Sequence, residues 1–218
     1  MNTIILSAIL LLLVIIVAMI RARGRYKRKL IGLVDSEWNT WGRQLSEDGH
    51  LVISGARETE EPFAKRVGDF WKSEGYNYDG YDTDEPWSAV FISYFLKNAG
   101  AEDFEGSASH SSYIRRAVQN RKKNMLEANY VAYRHHEKVA EVGDLVCYSR
   151  MSKTDLYDET SSYKSHCDIV VQKNSNNIEV IGGNVSNGVT KKIVSTTNGK
   201  ILDQSDRWFA IIKNNQTF

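Results

Sequence analysis

The apolar positions of this 218-residue chain follow three regimes. From Ile4 to Ile20 they are continuous (IILSAILLLLVIIVAMI), with Ser7 the only polar side chain in the run. At about 1.5 Å per residue, such a run is at the short end of what crosses a bilayer. Further along they recur at helical spacing. Phe63, Val67, Phe70 and Trp71 predict a helix across Glu60 to Gly75, and WSAVFISYFLKNAG predicts a second from Trp87 to Gly100. Tyr113, Ile114, Ala117 and Val118 predict a third across Ser109 to Lys122. From Asn129 onward the period shortens. Asn129 to Arg134, Gly143 to Ser149, His166 to Gln172, Ile178 to Ile181, Val189 to Val194 and Trp208 to Ile212 read as short strands, separated by turn signals such as Asn198-Gly199. Helices first and strands after predict an α+β domain, a helical layer on an antiparallel sheet.

The continuous run is followed by a basic block: Arg21, Arg23, Arg25, Lys27, Arg28 and Lys29. A cleavable signal carries its positive charge before the apolar run and a small-x-small site after it. Ala18-Met19-Ile20 supplies no such site, so the run reads as an uncleaved transmembrane helix with the lipid bilayer as its partner through residues 4–20. The expected organisation is an anchor over 1–22, a basic juxtamembrane segment over 23–34 and one domain over 35–218. Basic residues stay on the cytoplasmic side, which predicts a cytoplasmic domain. The block also distorts the charge balance. The whole chain is formally +1, but without these six residues 22 basic groups face 27 acidic ones, a balance of −5. An acidic domain excludes a general electrostatic affinity for nucleic acid. Two cysteines are too few for a disulfide-built mini-protein or a cysteine-rich zinc module.

Candidate chemistry gathers around two segments. Ser88 lies in the first turn of the WSAVFISYFLKNAG helix, where free N–H groups and the helix dipole stabilise negative charge. His166 opens the strand HCDIVV, and alternation puts His166 and Asp168 on one face with Cys167 on the other. A histidine at a strand start facing a helix N-terminus is what a serine or cysteine hydrolase needs, a base within reach of its nucleophile. His110, at the start of the third helix, is placed to line the same groove. Adjacent His135 and His136 face opposite ways and suit no common metal. No metal-binding spacing is present, and neither a metal nor a cofactor is expected. Cys147 and Cys167 stand on neighbouring strand segments, either as a disulfide in an oxidising compartment or as buried thiols.

In this order, WSAVFISYFLKNAG, GDLVCY, SHCDIVV and VIGGNVSNGV resemble the CHAP and NlpC-type branch of the papain-like hydrolases. The nearest likeness is a bacterial branch with W-S-A-x-F-I-S, S-H-x-x-Y-I and H-C-D-I-V. The resemblance implies a papain-like fold, helices carrying the nucleophile against an antiparallel, barrel-like sheet carrying the histidine. It puts Ser88 in the place of the catalytic cysteine and His166 in that of the general base. Asn184 of GGN or Asp168 would orient the histidine. Trp87, Asp84 and His110 would contact substrate. The implied activity is cleavage of amide bonds in peptidoglycan stem peptides, at the bacterial inner membrane. That substrate requires an exported domain, against the charge rule. Serine in place of cysteine leaves a second option, an inactive module that binds a peptide, glycopeptide or protein partner.

Overall fold

The structure, a computed structural model, describes residues 3–47, 49–101, 103–152, 155–202 and 207–216. One helix, α1 (Thr3–Thr40), opens it without a break. Every side chain from Ser7 to Arg21 is exposed, and the helix is long and apolar enough to cross a membrane. Its second half behaves differently. Ala22, Tyr26, Leu30 and Val34 recur every fourth residue and are buried in the core, as is Trp41 just past the helix end. Two members of the basic block dock on the domain. Arg23 Nη2 donates to the Asn214 carbonyl (3.1 Å), and Lys27 Nζ lies 3.9 Å from the buried Asp144 carboxylate. Arg21, Arg25, Arg28 and Lys29 remain exposed on the other faces. Tyr26, Leu30 and Val34 thus tie α1 to the domain core, and the helix runs on through Asp35.

Three shorter helices follow: α2 (Phe63–Lys72), α3 (Ser88–Ala99) and α4 (His110–Lys122). The strands are β1 (Gln44–Glu47), β2 (His50–Ile53), β3 (Tyr130–Arg134), β4 (Leu145–Ser149), β5 (Ser165–Lys173), β6 (Asn177–Val185), β7 (Gly188–Thr197), β8 (Lys200–Ile201) and β9 (Trp208–Asn214). They form one sheet in the order β2-β1-β7-β6-β5-β4-β9-β3, with β8 paired to β7. The pairings are antiparallel except that β1 runs parallel to β7. The expected antiparallel, barrel-like sheet is thus a mixed, open one. The difference comes from the β1–β2 hairpin, whose two four-residue strands carry too little apolar alternation to be read as strands.

The sheet has two apolar faces. Phe91, Leu96, Ile114, Cys147, Cys167, Ile169 and Ile212 belong to the larger core beneath the helices. Val146, Val170, Val180, Val194 and Ile211 form a second cluster. Alternation along β5 divides its side chains between them. Trp87, Phe70, Phe91 and Phe95 interlock around α3 at ring-centroid separations of 4.6–6.1 Å. Burying each such ring contributes on the order of 2–3 kcal/mol, so this cluster fixes α3 against the sheet. Cys147 and Cys167 stand directly opposite on β4 and β5 and are joined as a disulfide. Of the two states the sequence left open, the structure shows the bridge.

Candidate active site

The start of α3 is held from the sheet. Trp87 precedes the helix, and no side chain of its own segment caps it. Asn184 serves instead: its amide oxygen accepts from the Trp87 backbone N–H (3.1 Å), and its Nδ2 donates to Glu58 Oε2 (3.3 Å). The same Glu58 oxygen accepts from Trp87 Nε1 (2.5 Å). A carboxylate and an amide at a helix N-terminus both suit its unsatisfied donors and positive dipole end. Asn184 reaches there from an irregularity in the β6–β7 pairing, at φ 53°. The two glycines before it let the backbone close in. A Cβ on Gly183 would lie 2.5 Å from the Trp87 ring and 2.6 Å from Phe91. On Gly182 it would lie 2.1 Å from Asp168 Oδ1 and 2.9 Å from His166 Nε2. GGN is thus a close-approach element that seats α3 and β5 together.

Two chains of polar side chains meet at this junction. The first comes from the helices. Ser88 Oγ lies 2.7 Å from His110 Nε2, and His110 Nδ1 is hydrogen-bonded to the Tyr113 hydroxyl one turn along α4. When Nδ1–H donates to the tyrosine oxygen, Nε2 is left to accept the Ser88 proton. Burial, and next the neighbouring His166, hold the His110 pKa well below its ordinary 6.5, so the ring is neutral. Burial likewise pushes the Tyr113 hydroxyl well up.

The second chain comes from the strands. His166 Nε2 lies 3.0 Å from Asp168 Oδ1, two residues on along β5. Asp168 Oδ2 is paired with Lys192 Nζ of β7 at 2.6 Å. Burial works to raise the Asp168 carboxyl, but Lys192 and then His166 hold it well below the ordinary range. Burial lowers the His166 pKa despite Asp168. His166 Nδ1 is buried with no hydrogen-bond partner among the described residues. The two imidazoles lie 5.0 Å apart between ring centroids, and Tyr148 packs on His166 at 5.1 Å. Lys192 Nζ sits 4.7 Å over the Tyr148 ring. Beyond Tyr148 and Lys192 a cavity of about 510 Å³ opens, lined also by Ser46, Val194, Arg207 and Trp208.

Of the residues singled out from the sequence, Ser88, His110, His166 and Asp168 come together. The histidine in contact with Ser88 is His110, which had been assigned only to the groove. Asn184 holds the start of α3, and Asp168 is the group bonded to His166. Trp87 is a buried ring whose indole packs against Trp41, Phe70 and Phe91 in the core. Asp84 is exposed in the turn before α3. Sequence reasoning missed Tyr113, Lys192 and Glu58. Tyr113, at i+3 from His110, belongs by its spacing to the apolar face of that helix. Lys192 and Glu58 gave no local signal. Among the described residues no group of three His, Cys, Asp or Glu side chains is arranged to hold a metal ion.

Fold and site together define an α+β protein with a buried serine–histidine contact beside a histidine–aspartate–lysine chain. Residues 56–214 match the family model DUF2272, described as an uncharacterised protein conserved in bacteria, and the chain belongs to that family. Both polar chains lie inside the matched span. No curated protein and no solved structure matches the chain.

Proposed function

We propose that the domain is a papain-like hydrolase that cleaves amide bonds through Ser88, with the stem peptides of peptidoglycan as substrate class. The observation that carries this reading is the 2.7 Å contact between Ser88 Oγ and His110 Nε2 at the N-terminus of α3. A serine hydroxyl needs a base in contact, and geometry takes precedence over pKa in choosing it. His110 takes the Ser88 proton as Oγ bonds to the carbonyl carbon. The first-turn N–H groups of Ser88 and Ala89 face the developing oxyanion. The C–N bond then breaks, and the amine leaves with the proton from His110. Water hydrolyses the resulting ester, activated by His166, whose Nε2–H on Asp168 leaves Nδ1 to accept a proton. Residues 4–20 anchor the chain in the bacterial inner membrane. The Cys147–Cys167 bridge favours the oxidising, periplasmic side, where peptidoglycan lies.

A specific observation favours the second reading, a module that binds without hydrolysis: Ser88 is only 2% exposed and His166 fully buried. One experiment separates the two. The full chain in detergent micelles is treated with a fluorophosphonate probe and, in parallel, incubated with purified sacculi. Hydrolysis requires a mass adduct on Ser88 and release of peptide fragments, both lost in Ser88→Ala. Binding to sacculi with neither adduct nor fragments selects the binding module.

A further inference from the structure

Lys192 has no part in the sequence motifs, yet it is built into the same junction. It comes from β7, two strands away from β5 across β6, and register brings it over. Asp168 neighbours Gly182 in space, and Lys192 pairs with Val180 on β6. A Cβ at 182 would overlap the Asp168 carboxylate, so a glycine there leaves the carboxylate its place beside that strand. The Lys192 side chain is 15% exposed, and that of Asp168 is fully buried.

We propose that Lys192 is a positioning residue for His166: its ammonium, seated on the far oxygen of Asp168, keeps the imidazole neutral and so able to accept a proton. The inference deepens the hydrolase reading and rests on it for its use in catalysis, while its geometry stands alone. Net charge buried away from water is costly, so a buried cluster settles in the protonation state closest to neutrality. With Lys192 present, ammonium and carboxylate cancel, and neutral His166 completes a balanced set. Without it, the lone carboxylate is balanced only when His166 takes up a proton, and a protonated imidazole is no base. The other groups facing His166 do not supply the missing charge in the same place. Tyr148 on β4 packs its ring on the imidazole, and His110 on α4 is held neutral by burial. β6 presents the backbone of Gly182. Arg150, just past β4, is exposed to solvent, where its effect is screened. Lys192 also fixes the Asp168 carboxylate on one side, so Oδ1 stays directed at His166 Nε2.

The test is the titration of the His166 ring by NMR in the full chain in micelles. Wild type holds a neutral His166 at pH 7. Lys192→Met raises its midpoint by roughly one pH unit or more. Lys192→Arg keeps it at the wild-type value, and Asp168→Asn combined with Lys192→Met returns it to neutral at pH 7. An unchanged midpoint in Lys192→Met overturns the proposal. A protonated His166 in wild type at pH 7 overturns it as well, a result available even if Lys192→Met does not fold. Wild type that titrates as stated but takes no probe on Ser88 supports the role of Lys192 and removes the hydrolase reading alone.

Discussion

The helical chain Ser88–His110–Tyr113 and the strand chain His166–Asp168–Lys192 solve one problem with different means. Both bury an imidazole and keep it neutral. The helical chain does so with uncharged partners: Tyr113 one turn along α4 from His110, and Ser88 at the start of α3. The strand chain uses a buried ion pair whose members lie on β5 and β7, and it exists only when β6 is correctly seated between them. Losing a neutral partner costs about 1 kcal/mol, whereas stripping one member from a buried ion pair costs roughly 3–5 kcal/mol. Charge has been placed where the backbone is fixed by strand pairing on both sides, and neutral groups where two packed helices meet.

That contrast can be broken at several strengths. The largest effect is expected from Gly182→Ala. The added Cβ overlaps Asp168 Oδ1, so the variant should lose roughly 3 kcal/mol in chemical denaturation. Its His166 titration should be disturbed while Ser88 still contacts His110. Equal disturbance of both imidazoles would show that the two chains are one unit. A drop in pH should act on both chains together. His110 and His166 have folded-state pKa values below the ordinary 6.5, so the unfolded chain binds protons that the folded one refuses. Stability is therefore level above about pH 6.5 and falls as the pH drops below it, read as a decrease in Tm. Asp168, held low, stays ionised through that window. Its contribution disappears only in stronger acid, below its ordinary 3.8. The smallest effect belongs to Tyr113→Phe, which removes one neutral partner of His110. It should cost about 1 kcal/mol and leave the His166 titration unchanged. A shift at His166 in that variant would erase the distinction between the chains.

The same contrast explains what could be read in advance. α2, α3, α4 and the six longer strands follow from local period, because each buries a face that its own spacing defines. Ser88, His110, His166 and Asp168 stand in short motifs at element starts, where chemistry and backbone geometry coincide. Lys192 sits in the polar run Thr190-Lys191-Lys192 and gains its meaning only from the pairing of three strands. Asn184 was expected beside His166. The uneven β6–β7 pairing and the left-handed backbone at 184 send its amide to α3 instead, and no spacing rule carries that information. The parallel pairing of β1 with β7 is equally non-local. The reach of α1 into the core was hidden by its own composition, since the arginines and lysines between Arg21 and Lys29 mask the four-residue repeat of Ala22, Tyr26 and Leu30.

The continuity of α1 has a mechanical result. Between Arg21 and Thr40 the helix rises about 30 Å without a joint, and its inner side is locked to α3 and the sheet. It works as a mast rather than a leash: whatever grips the apolar end sets the height and the heading of Ser88 together. A protein held by that end would sample a thin shell at one stand-off from its support, and a target would have to come to that shell to be met.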